Sequence, residues 1–138
     1  MGNGTKTVYE QSAVIPFRRR GNDVEILLVT SRSGKRWIVP KGMVDPDLTP
    51  EDSAVKEAYE EAGITGALRS DCLGTYYYDK WGGTCEVEIF LFEVETEHDD
   101  WLEADKRKRR WVRVREAIEL VEEPGLKRFL RSITEHIN

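Results

Sequence analysis

One segment, Gly42 to Ile64, constrains this chain more than any other: GMVDPDLTPEDSAVKEAYEEAGI. It reads as a helix with both ends marked. Thr49 is a candidate N-cap, Pro50 fits the first helical position and Asp52 stands at the third. Gly63 is the stop. Ala54, Val55, Ala58, Tyr59 and Ala62 recur at helical spacing and predict a stripe packed on a sheet. On the opposite side Glu57, Glu60 and Glu61 crowd into one turn. Like charges at i,i+3 and i,i+4 cost about 0.2–0.5 kcal/mol per pair. Only Lys56, four residues before Glu60, relieves them locally. A solvated acidic face is the plain alternative. A helix that keeps such repulsion is better explained by a bound cation, and hard divalent ions such as Mg²⁺ take carboxylate oxygens together with substrate phosphates.

The rest of the chain alternates strands and helices. Residues 8–18 read as a strand, with Pro16 predicting an edge or a bulge. Gly21-Asn22-Asp23 is a turn, Glu25 to Ser31 a buried strand and Trp37 to Val39 a short strand running into Pro40-Lys41-Gly42. Leu68 to Asp79 reads as one strand region, Lys80 to Gly83 as a hairpin turn. From Thr84 to Glu95, Cys85, Val87, Ile89 and Leu91 fall on one face, and Glu86, Glu88, Phe90 and Phe92 on the other. After the acidic loop Glu97 to Asp100 come a strand, Arg110 to Val114, and a short helix, Arg115 to Val121. A last amphipathic helix carries Leu126, Phe129, Leu130 and Ile133. This order predicts an α+β fold, a mixed sheet covered by helices, in one domain over residues 1–138.

No apolar run reaches the ~18 residues of a membrane span, and the first residues lack the apolar stretch of a signal peptide. The expectation is a cytoplasmic protein without membrane contact. Cys72 and Cys85 are then reduced core thiols, with no spacing for zinc. His98 and His136 read as solvated. A net charge of −5 argues against a nucleic-acid partner. Two basic runs, Arg18 to Arg20 and Lys106 to Arg110, are either solvated loops or grips for an anionic substrate.

The segment 42–64 resembles the Nudix box. Gly42, Glu57, Ala58, Glu60, Glu61, Gly63 and Ile64 stand in its register. Lys56 replaces the family's Arg, and Leu48 replaces its first Glu. Two flanks, Arg36 to Gly42 and Arg107 to Val121, are similar to the branch that hydrolyses diphosphoinositol polyphosphates and diadenosine polyphosphates. The resemblance implies a Nudix α/β/α sandwich and hydrolysis of a polyphosphate anhydride with Mg²⁺, Mn²⁺ being a possible substitute. It makes Glu57 and Glu61 metal ligands, with Glu60 sharing the metals and orienting or deprotonating the attacking water. Lys56 supports these acids, and the Lys41-Gly42 backbone adds a ligand. Arg32, Lys41, Gly42, Arg107 and Arg109 are the residues expected to bind substrate. The partner is a small-molecule polyphosphate, and the protein a monomer or homodimer.

Two regions depart from the inositol-phosphate relatives. Tyr9-Glu10-Gln11 and Asp79-Lys80-Trp81-Gly82 stand where those place basic residues. Trp81 either packs over the sheet or offers a face on which a base stacks. Two alternatives remain: an RNA 5′-pyrophosphohydrolase, and a non-catalytic module that senses a nucleotide. Asp47, Glu86 or Glu88 are candidates to replace the carboxylate lost at Leu48, which otherwise staples its loop to the helix start.

Overall fold

The computed structural model describes residues 7–69 and 71–137. Strand β1 (Val8–Arg20) is its axis. Seven consecutive residues, Gln11 to Phe17, are buried because neighbours flank both edges. On one edge β1 runs parallel to β7 (Gly83–Glu97), from Val8 opposite Thr84 to Phe17 opposite Glu93. On the other edge it pairs first with β4 (Lys41–Met43) and then with β2 (Asp23–Thr30), both antiparallel. Pro16 is therefore interior rather than at an edge. It stands between the residues paired to β4, 11–13, and those paired to β2, 17–20, so its missing N–H falls where the chain changes partners.

The sheet runs β3-β2-β1-β7-β5, with β3 (Trp37–Ile38) and β5 (Ile64–Leu68) at its ends. β6 (Gly74–Lys80) also pairs with β7, and β8 (Arg109–Arg113) with β2. The stretch read from sequence as one strand, Leu68 to Asp79, is thus two, β5 and β6. The hairpin joining β6 to β7 turns on Trp81 at φ 55° and Gly82 at φ 70°. Two left-handed residues in a two-residue loop match the twist of the strands they join.

Helices cover both faces, giving the α/β/α sandwich. The alternation in β7 decides the layers. Val87, Ile89 and Leu91 join Ile15 and Phe17 under α2 (Val114–Leu120), α3 (Pro124–Arg131) and a 3₁₀ turn (Ile133–His136). Phe90 and Phe92 join Val14 and Leu27 under α1 (Pro50–Ala62). Ala54, Ala58 and Ala62 are fully buried, and their small side chains bring α1 close to the sheet. Tyr59 leaves the predicted stripe: it is 51% exposed and stands edge-on to His98. His98 is half-buried and bonded to Thr65 Oγ1 at 3.1 Å, rather than fully solvated. Cys85 is buried as expected, but Cys72 is exposed.

Several arginines of the basic runs are ion-paired. Arg18 pairs with Glu25, Arg19 with Glu93 and Arg110 with Glu116, at 2.7, 2.7 and 2.6 Å. No helix among the described residues is long and apolar enough to cross a membrane.

Candidate active site

Strand β4 and helix α1 meet at Gly42. A Cβ on Gly42 would overlap the Glu57 carboxylate, so only glycine lets that acid lie on the strand. One residue earlier, the Lys41 N–H donates to Glu61 Oε1 at 3.2 Å. The other Glu61 oxygen lies 3.5 Å from the Arg107 guanidinium. Arg107 is itself buried, donating to Glu103 Oε1 at 2.8 Å and to the Thr30 carbonyl at 2.9 Å.

This overturns the picture of a wholly solvated acidic face. Glu61 is only 7% exposed. Burial pushes its carboxyl up to about 8, with Arg107 opposing and Glu57 adding to the rise. Burial also raises Glu57, against the hydrogen bond it shares with Glu61. Both carboxyls are thus displaced toward their protonated forms. Glu60 lies further out, its carboxylate 3.8 Å from Lys56 Nζ. Lys56 also reaches Asp45 at 3.7 Å and so ties the loop to the helix. The loop itself is ordered by Thr49 Oγ1, which accepts from Asp52 N, and by Ser53 Oγ, which accepts from Asp45 N. Leu48 is 36% exposed and does not staple this loop by burial. Asp47 is exposed, and Glu86 and Glu88 line a separate recess with Glu10.

Of the three acids, Glu61 borders a cavity of about 450 Å³. Arg32, Lys41, Gly42, Glu61 and Arg107 line it, so the fold gathers most of the residues expected to bind substrate. Arg109 is not among them. It donates to the carbonyls of Ala62 and His98 at 3.0 and 2.8 Å and stacks on Trp101 at 3.8 Å. Trp101 Nε1 in turn donates to the Glu61 carbonyl at 2.9 Å. Together they clamp the end of α1.

Sequence reasoning missed Arg36, Lys80 and Tyr78 in the cavity wall, and Glu103 behind Arg107. It also missed Glu123, 3.7 Å from Lys41 Nζ. For Glu103 a local signal existed, its i,i+4 spacing to Arg107. The others come from distant parts of the chain. Trp81 stands at the cavity mouth, 56% exposed, with Tyr9 edge-on at 5.2 Å and Lys80 Nζ 4.6 Å from its ring centre. It does not pack down over the sheet.

The donor set fits a hard divalent cation: Glu57, Glu60 and Glu61 offer only oxygens, two of them partly or fully desolvated. As they stand, no three acidic, His or Cys side chains among the described residues are gathered closely enough to close a metal site. Burial favours the protonated forms of Glu57 and Glu61, and Glu60 is paired to Lys56. Metal binding would have to release any proton held there.

Comparison with known proteins converges on one family. Residues 9–134 match the family described as NUDIX domain. The chain is 34% identical over 140 residues to Nudix hydrolase 13, mitochondrial, from Arabidopsis thaliana, covering 91% of this chain and 68% of that protein. It is 32% identical over 115 residues to diphosphoinositol polyphosphate phosphohydrolase 3-alpha from Mus musculus, covering 82% and 69%. A solved Ap4A hydrolase from C. elegans, in a binary complex, superposes with a TM-score of 0.82 at 25% identity, covering 94% of this chain and 97% of that one.

Proposed function

The chain belongs to the NUDIX family of pyrophosphohydrolases, and from that premise we propose that it hydrolyses diadenosine polyphosphates, linear polyphosphates bridging two nucleosides. Diphosphoinositol polyphosphates are the nearest competing substrates. The observation that carries the reading is a cavity with the buried acid Glu61 on one side, cations along its wall and an exposed tryptophan at its mouth. An anhydride repels nucleophiles through its own oxygens, so the site must supply positive charge and hold the phosphates. Arg32 and Lys80, which have no carboxylate at ion-pair distance among the described residues, supply most of it, beside Arg36 and Lys41. Trp81 offers a base a face to stack on, and its left-handed backbone is a conformation a bulky residue adopts at a cost. The similarity to an Ap4A hydrolase structure supports the same reading.

Members of this family use divalent metal ions. We assign Mg²⁺ to Glu57, Glu61 and Glu60 together with the Lys41-Gly42 backbone; bound there, it neutralises phosphate oxygens and makes a bound water more acidic. Mn²⁺ is the expected substitute. The protein's own groups do the rest. Lys41 N–H and Arg107 fix the Glu61 carboxylate, and Gly42 gives Glu57 its room. Glu60, more accessible than Glu61, is assigned to orient and deprotonate the attacking water, with Lys56 holding it until then. Pairing of Arg107, Arg109 and Arg110 to carboxylates makes an RNA-end substrate the less favoured reading. One domain acting in the cytoplasm, as monomer or homodimer, completes the proposal.

The test is a substrate panel: purified protein with Mg²⁺ and diadenosine polyphosphates, diphosphoinositol polyphosphates, triphosphorylated RNA and nucleoside triphosphates. Diadenosine polyphosphates should give the highest kcat/KM. A clear preference for any other class refutes the assignment.

A further inference from the structure

The reading of the cavity as a polyphosphate site leaves open what limits its ligands, and the following inference rests on that reading. Five cations line the cavity: Arg32, Arg36, Lys41, Lys80 and Arg107. Arg107 is already matched by Glu61 and Glu103. Behind the opposite wall stands Glu123, outside the cavity lining and 14% exposed. Its Oε1 lies 3.7 Å from Lys41 Nζ and 4.0 Å from Arg36 Nη1, and its Oε2 accepts from the Tyr76 hydroxyl at 3.4 Å. Burial, reinforced by Glu123, keeps the Tyr76 phenol protonated and so a donor.

This placement is built into the fold. Glu123 is the N-cap residue of α3, where a carboxylate ordinarily accepts from first-turn N–H groups. Here it makes no capping bond; its oxygens are turned to the cations. Gly125 lets the first turn of α3 lie against Tyr76, since a Cβ there would overlap the Tyr76 side chain. Among the described residues, only Arg32 and Lys80 of the five cations have no carboxylate at ion-pair distance. A ligand with its charge strung along one chain needs little more than these two and the acid end. A ring crowded with phosphates must also press anions against the Lys41–Arg36 wall, half of whose charge Glu123 offsets.

We propose that Glu123 is a specificity-determining residue: it offsets half the positive charge of the Lys41–Arg36 wall, so the cavity accepts a linear polyphosphate and disfavours a ring carrying many phosphates. Calorimetry without divalent metal tests this apart from catalysis. The crowded probe is myo-inositol hexakisphosphate and the linear probe is inorganic tripolyphosphate. Glu123→Gln should tighten the hexakisphosphate roughly tenfold and tripolyphosphate by under about threefold, because the removed charge faces the crowded ligand alone. Glu123→Asp should stay near wild type for both. An unchanged ratio between the two probes in folded Glu123→Gln overturns the proposal. If that variant does not fold, Glu123→Ala decides by the same ratio. A panel assay without hydrolysis would refute the catalytic reading and leave this binding ratio still decisive for Glu123.

Discussion

Gly42 shows how a single residue sets this site. Its missing Cβ is the space the Glu57 carboxylate occupies. Gly42→Ala should leave the fold intact and lower kcat/KM roughly a hundredfold, the scale of an ångström-sized misplacement. Circular dichroism beside kinetics checks this, and a fully active variant contradicts the placement of Glu57. Glu61 makes a second prediction, on stability. Its carboxyl is raised to about 8 from the ordinary 4.5, so between those values the folded state holds more proton than the unfolded. Stability of the metal-free protein should therefore fall as pH rises through that window. Glu61→Gln should flatten the decline in thermal melts from about pH 5 to 8. An equal slope in both proteins would mean that Glu61 is not desolvated. The acids were legible in sequence because their crowding is a local fact of helical spacing. The burial of Glu61 was not, since it is made by Arg107 and the Lys41 backbone, neither of which is near it in sequence.

Helix α1 was legible as an element because its cap, its first-position proline and its terminal glycine are all local, and each stands where expected. The alternation in β7 was legible for the same reason, since period 2 sorts Ile89 from Phe90 without knowing the partners. Strand β4 was not. Three residues carry no period, and β4 exists only because β1 offers it an edge. The placement of Arg109, at the start of β8, was not legible for a related reason. Arg109 looks like a substrate grip in a run of cations, yet its guanidinium closes the end of α1 through the Ala62 and His98 carbonyls and Trp101. Arg109→Ala should then cost about 2 kcal/mol of stability, through lost charge-assisted hydrogen bonds, and leave KM unchanged. A raised KM at unchanged stability would restore the substrate role. Leu48→Glu should be nearly silent in both stability and rate, because Leu48 sits in an exposed turn. A several-fold gain in turnover would show that its missing carboxylate limits catalysis.

At the scale of the molecule, the sandwich brings a helix, a short strand, two loops and a hairpin to one cavity. The acid that borders that cavity, Glu61, belongs to a sequence motif. The cationic and aromatic half is assembled from residues as far apart as Arg32, Lys80 and Arg107, and emerges only when β2, β6 and the loop before β8 are placed. The same assembly predicts a linked response to metal. Repulsion among Glu57, Glu60 and Glu61 should ease when Mg²⁺ binds, so millimolar Mg²⁺ should raise the melting temperature, more at pH 8 than at pH 6, where protons compete. The most direct test of the central claim, that this acid-and-cation cavity performs anhydride hydrolysis, is the kcat/KM of Glu57→Gln on a diadenosine polyphosphate with Mg²⁺. The account predicts a folded protein with activity reduced on the order of 10²–10⁴-fold. A folded Glu57→Gln enzyme with near wild-type kcat/KM would contradict it.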